Sequence, residues 1–154
     1  MRLSEWRTVA PHASSVGGKV MAAVQPVLAG LGAEADPPCW VAWGDDPTAR
    51  YVILAIGEGG LAVVHVRVNV PQEGPRAAGK LARWSRVQVG ELSVETQGGH
   101  TLASFQVEGQ PLRAVDAEAG RVTDFARDIL AAIDGRPIPS LQPAPALSAP
   151  GDRS

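Results

Sequence analysis

The residues able to do chemistry in this chain are few and scattered. His12, His65 and His100 lie far apart in the sequence. None stands at metal-ligand spacing from Cys39 or from a carboxylate pair, so no metal site is expected. The chain contains neither a G-x-S-x-G elbow nor an H-E-x-x-H helix, and no catalytic residue is assigned. Cys39, the single cysteine, adjoins Trp40 and reads as a small buried hydrophobe rather than a nucleophile. Asp45-Asp46 reads as a turn pair before it reads as a catalytic dyad, and Glu58 as a residue at a hairpin tip.

Gly74-Pro75-Arg76-Ala77-Ala78-Gly79-Lys80-Leu81 matches the phosphate-binding loop as far as its lysine. The pattern then requires Ser or Thr to hold Mg²⁺, and Leu81 cannot do so. The loop must also lead into a helix whose N-terminus receives the phosphates, whereas Leu81 onward reads as strand. A flexible inter-strand loop is expected instead. Arg76, Lys80, Arg83 and Arg86 form the one basic cluster. They could hold an acidic partner, or simply solvate a loop and strand edge.

The element that must position any site is Tyr51–Val70, YVILAIGEGGLAVVHVRVNV. Its first strand, Tyr51 to Ile56, is apolar on both faces and should be covered on both sides. Its second strand alternates. Val64, Val66, Val68 and Val70 point one way, His65, Arg67 and Asn69 the other, so one face is buried and one wet. The His65-Arg67-Asn69 face, with Arg83 and Arg86, is the candidate binding surface.

Around this hairpin the pattern is β-rich. From Ser14, Val16, Val20, Val24, Leu28 and Leu31 step at helical spacing, with Pro26 expected to kink or split the helix near Gln25. Cys39–Gly44 reads as a strand, Trp40 and Ala42 facing away from Cys39, Val41 and Trp43. Pro71–Gly79 reads as a loop. Leu81–Val89 reads as a strand and a turn, and strands follow in Leu92–Gln97, Thr101–Val107 and Leu112–Val115, with Gly98-Gly99 closing a hairpin. Val122, Phe125, Ala126, Ile129, Leu130 and Ile133 form a helical stripe. Asp116 is its candidate N-cap and Gly135 its stop. The proline-rich remainder, RPIPSLQPAPALSAPGDRS, reads as disordered. Three regions result: an N-terminal arm and helix over 1–38, a β domain with its helix over 39–135, and a tail over 136–154.

Composition narrows the function classes. The 154 residues suit one domain. With 14 basic and 16 acidic residues the net charge is −2, without the basic excess of a nucleic-acid binder. Trp40, Trp43 and Trp84 read as packing rather than as a platform for bases, and Trp6 as an anchor of the N-terminal arm rather than a ligand contact. No disulfide can form within the chain. Neither an N-terminal signal segment nor a run long enough to cross a membrane is legible, so a soluble, cytoplasmic protein is expected.

Hairpin-scale spacing makes consecutive strands antiparallel. The span from Cys39 to Asp134 then resembles a bacterial pleckstrin-homology-like (PH-like) domain. The segments that carry the likeness are YVILAIGEGGLAVVHVRV and KLARWSRVQVGELSVE, in which Leu81–Val87 is similar to the family's step into its next strand, and Val122–Ile133 falls where its capping helix does. The resemblance implies a mainly β, α+β fold, a PH-like antiparallel barrel of about seven strands capped by a C-terminal helix; the N-terminal helix is an addition to it. It also implies a binding scaffold without catalytic residues or cofactor. Phosphoinositide binding in the family goes with a basic first hairpin loop, and here Asp45-Asp46-Pro47-Thr48 is acidic, which points away from a membrane surface. The expected function is a non-enzymatic interaction module taking a protein partner or a second copy of itself. One alternative is a small-molecule carrier or enzyme with a cavity between helix and curved sheet. The other is anionic lipid or phosphoinositide binding.

Overall fold

A strand that is apolar on both faces must be covered on both, and the architecture is arranged around that requirement. The computed structural model of the protein describes residues 2–8, 18–46 and 49–142. In chain order these form helix α1 (Gly18–Gly30), strands β1 (Trp40–Asp46), β2 (Arg50–Ile56), β3 (Gly60–Val70), β4 (Gly74–Arg83), β5 (Val89–Gln97), β6 (His100–Val107) and β7 (Gln110–Val115), and helix α2 (Ala117–Ile133). Short 3-10 turns lie at Leu3–Thr8, Trp84–Arg86 and Pro139–Leu141. The fold is α+β, with two antiparallel meanders. One is four-stranded, β1-β2-β3-β4; the other is three-stranded, β5-β6-β7. Among the described residues no helix is long and apolar enough to cross a membrane.

Every residue of β2 after Arg50 is buried, as its sequence requires. Tyr51, Ile53 and Ala55 pack with Val20, Val24 and Leu28 of α1 and with Leu3. Val52, Leu54 and Ile56 face the other way, against Phe105 and Val107 of β6, Leu112 of β7, and Val122, Phe125 and Ile129 of α2. The layers are therefore α1, the four-stranded sheet, and the three-stranded sheet with α2. Strand β1 divides as expected, Cys39, Val41 and Trp43 toward one core and Trp40 and Ala42 toward the other.

Five expectations need correction. First, the sheets do not close into a barrel: β1, β4, β5 and β7 each pair on one side only. The chain leaves β4 through the Trp84–Arg86 turn rather than continuing into a ladder, and α2 fills the space between the sheets with side chains. Second, the expected loop Pro71–Gly79 is mostly strand. The turn is confined to residues 71–73, closed by the Glu73 amide on the Val70 carbonyl at 3.0 Å, and β4 then pairs with β3 from Gly74 to Arg83. As an edge strand it tolerates Pro75. Third, α1 runs through Pro26 without splitting, held by the packing of Val24 and Leu28. Fourth, Asp116 takes the N-cap position of α2 but makes no side-chain cap; its carboxylate turns back to β6. Fifth, the tail is not featureless at its start. Ile138 packs on the core, and the Ser140 amide donates to Asp128 Oδ1 at 3.0 Å, a carboxylate on α2 only 3% exposed. Ser14, Ser15 and Val16, and the tail from 143, lie outside the described residues.

The stop of α2 is as read. Gly135 has φ +70°, its amide donates to Ala132 O and that of Arg136 to Ala131 O. This is the paired closure that favours glycine at that position.

Candidate binding site

Strand β3 places His65 and Arg67 on the face that also carries Leu61 and Val63. Those two are buried under α2 and the three-stranded sheet; His65 and Arg67 emerge beyond that cover and are exposed. A recess of about 450 Å³ opens there, lined by Trp43, Arg50, Val52, His65, Arg67 and Gln110.

Register supplies what the sequence did not. Arg67 lies directly opposite Arg50 on β2 and Arg76 on β4. Directly opposed residues of antiparallel strands share a face with Cβ atoms about 4.5–5.5 Å apart. Three arginines therefore stand side by side across three strands. Asp46 of β1 is opposite Arg50; its side chain, like those of Asp45 and Asn69, lies outside the described residues. Arg76 pairs with Glu73 of the neighbouring turn. Arg50 and Arg67 have no ion pair with any described side chain. On the same face Lys80 reaches Glu108 at 3.6 Å, and Glu108 also accepts the Gln88 amide at 2.7 Å.

The other sequence-derived residues part company with this group. Arg83 pairs with Gly60, seven positions along β3 from Arg67, roughly 23 Å at strand rise. It also follows Ala77 and Leu81 onto the α1 face. Arg86 sits in the turn beyond it. The apparent cluster Arg76-Lys80-Arg83-Arg86 is thus divided between two faces and two ends of the sheet, because β4 is extended. The missed residue is Arg50; Arg76 is legible only as part of the basic cluster, not as a neighbour of Arg67. Counting back by two from Val52 would have put Arg50 on the face; nothing local gives the register that sets it against Arg67.

The remaining candidates are structural. Burial raises the Cys39 thiol to about 11, with the Asp128 carboxylate adding to it. Glu58 is exposed at the β2–β3 turn, and its carbonyl accepts the Trp84 Nε1–H at 3.2 Å. Gly79 passes over the Val63 carbonyl inside a ladder, so Gly74–Leu81 does not form a phosphate loop. Among the described residues, no three His, Cys, Asp or Glu side chains converge as metal ligands.

A second concavity of about 400 Å³ lies where β1, β7 and the first turns of α2 meet, walled by Trp40, Trp43, Leu112, Val115, Arg121 and Val122. The Arg121 guanidinium lies over the Trp40 ring, 4.3 Å from its centroid, and donates to the Trp40 carbonyl at 3.4 Å. Burial draws Arg121 below the usual arginine value, with Glu118, 3.8 Å away, opposing.

No family model matches the chain, and neither a curated protein nor a solved structure is found to be similar to it.

Proposed function

We propose that the protein is a non-enzymatic binding module of PH-like type that takes an acidic protein surface on the Arg50-Arg67-Arg76 row. The PH-like reading is supported by the order of the elements: a four-stranded meander, a three-stranded meander, then a closing helix. The observation that carries the site is Arg50 opposite Arg67, with no acidic side chain among the described residues in an ion pair with either. Like charges directly opposed weaken a sheet, and an acidic partner would relieve that. Arginine suits the task because its planar fork grips carboxylates two bonds at a time. His65 and Gln110, at the rim of the recess, would add hydrogen bonds. The mechanism is complementary charge and shape, strongest at low salt.

The test uses poly-L-glutamate as an acidic polypeptide and phosphatidylserine vesicles as an anionic lipid surface. The expected result is salt-sensitive binding of poly-L-glutamate that is lost in Arg50→Glu/Arg67→Glu and kept in Arg83→Glu/Arg86→Glu, with no co-sedimentation on vesicles. Absence of poly-L-glutamate binding at low salt overturns the reading. Vesicle binding lost in the first pair transfers the site to a lipid surface.

A further inference from the structure

The cleft between β1 and β7 is bounded by an edge of each strand, and its own chemistry differs from that of the arginine row. The Ile56 amide donates to the Cys39 carbonyl at 3.0 Å. With the register of Trp40 opposite Ala55, Val41 and Trp43 are the residues that bond to β2, and Trp40 and Ala42 turn their backbone groups outward. On the facing edge, the Asp116 amide donates to the Thr101 carbonyl at 2.8 Å. With Leu102 opposite Val115, Leu112 and Ala114 bond to β6, and Arg113 and Val115 present N–H and C=O groups to the cleft. Among the described residues those groups of Arg113 and Val115 have no backbone partner.

Two further features point to the occupant. The floor is apolar, with Leu112 and Val122 buried and Val115 48% exposed. Among the described residues the lining carries Arg113 and Arg121 against the carboxylate of Glu118, a surplus of positive charge. An unpaired strand edge beside an apolar slot is what an extended peptide adds to, through main-chain bonds for affinity and alternate side chains for selection. The positive lining selects acidic residues.

We propose that this seam binds an extended peptide segment with alternating apolar and acidic side chains. The segment pairs with the outward edge of β7 at Arg113 and Val115. Its apolar side chains enter between Trp43, Leu112 and Val122, and its carboxylates, on the alternate face, meet Arg113. The seam adjoins the recess beside the arginine row, sharing Trp43 with it, but uses none of the arginines of that row.

The experiment selects random ten-residue peptides displayed on phage against the whole chain, then measures an enriched synthetic peptide by fluorescence anisotropy. The expected consensus alternates apolar residues with Asp or Glu and lacks proline. Arg113→Glu, an exposed position that should not disturb folding, is expected to weaken binding at least tenfold. Val115→Pro, which removes an outward donor and no ladder bond, should do the same. Arg67→Glu should leave affinity unchanged. N-methylation of every second peptide amide tests strand pairing without altering the protein, and one of the two alternating sets should abolish binding. No enriched family, indifference to Arg113→Glu, or full affinity with both N-methylated sets overturns the proposal. So does an enriched peptide that responds to Arg67→Glu and not to Arg113→Glu, since it belongs to the other site.

Discussion

Arg67 on β3 stands directly opposite Arg50 on β2, and neither has a described acidic partner. Like charges so opposed are expected to weaken the sheet, which gives a direct test. Arg67→Thr removes the repulsion and places a good strand former in β3. Urea melts should find the variant more stable by about 0.2–1 kcal/mol, and salt should stabilise the native protein more than the variant. A variant less stable at low salt would show that the arginines are not in conflict.

The junction of β6 with α2 should be acid-sensitive. Asp116 Oδ2 lies 2.9 Å from His100 Nδ1, and Oδ1 accepts the Thr101 amide at 3.1 Å. The His100 contact first, then the amide, hold the Asp116 carboxyl below its ordinary value of 3.8. A carboxyl lowered in the folded state contributes stability above its unfolded pKa, and that contribution disappears as pH falls through the folded value. Asp116→Asn should therefore lower the urea midpoint at neutral pH, and the difference should close below pH 3.8. A gap that persists unchanged in acid would locate the effect elsewhere.

Cys39 should be unreactive until the chain opens. Its thiol is raised from 9.0 to about 11, and the Tyr51 hydroxyl from 10.0 to about 12, in both cases foremost by burial. An acid raised in the folded state leaves stability intact below its unfolded pKa and removes it as pH climbs toward the folded one. Stability should accordingly decline from pH 9 upward. A thiol reagent at neutral pH should modify Cys39 only at the rate of opening, accelerated by sub-denaturing urea. Immediate labelling of the native protein would contradict its placement.

Gly79 should matter for packing and not for phosphate. A Cβ there would lie 2.6 Å from the Val63 carbonyl and 3.1 Å from Val64 Cα. Gly79→Ala should destabilise by about 1–3 kcal/mol, the range for overpacking, measured by denaturant melts. Lys80→Ala should lose little, since the lysine of its 3.6 Å pair with Glu108 is exposed and Glu108 keeps the Gln88 amide. ATP with Mg²⁺ should shift the melting temperature of neither the native chain nor these variants.

Much of the scaffold is legible because local rules carry it. Period-two alternation gave the two faces of β1 and β3. Unbroken apolarity gave the double burial of β2, and helical spacing and Gly135 gave α2 and its end. Pro71–Gly79 was misread because proline and glycine signal a turn locally, whereas the open edge of β3 recruits the segment as a strand. Asp116 stands at the N-cap position that the sequence indicates, yet its carboxylate bonds His100, which is distant in sequence and adjacent across the sheet.

The sequence by itself determined which residues are buried on which face, because alternation is a property of one strand. It also put His65 and Arg67 on one face. Only the tertiary structure decided that Arg50 and Arg76 join Arg67 while Arg83 and Arg86 do not. Register between strands fixes neighbours across a sheet, and register follows from turns and packing rather than from any single strand. The open seam belongs to the same class of fact. Whether two strand edges meet depends on how far α2 holds the sheets apart, and no run of residues in β1 or β7 states that distance.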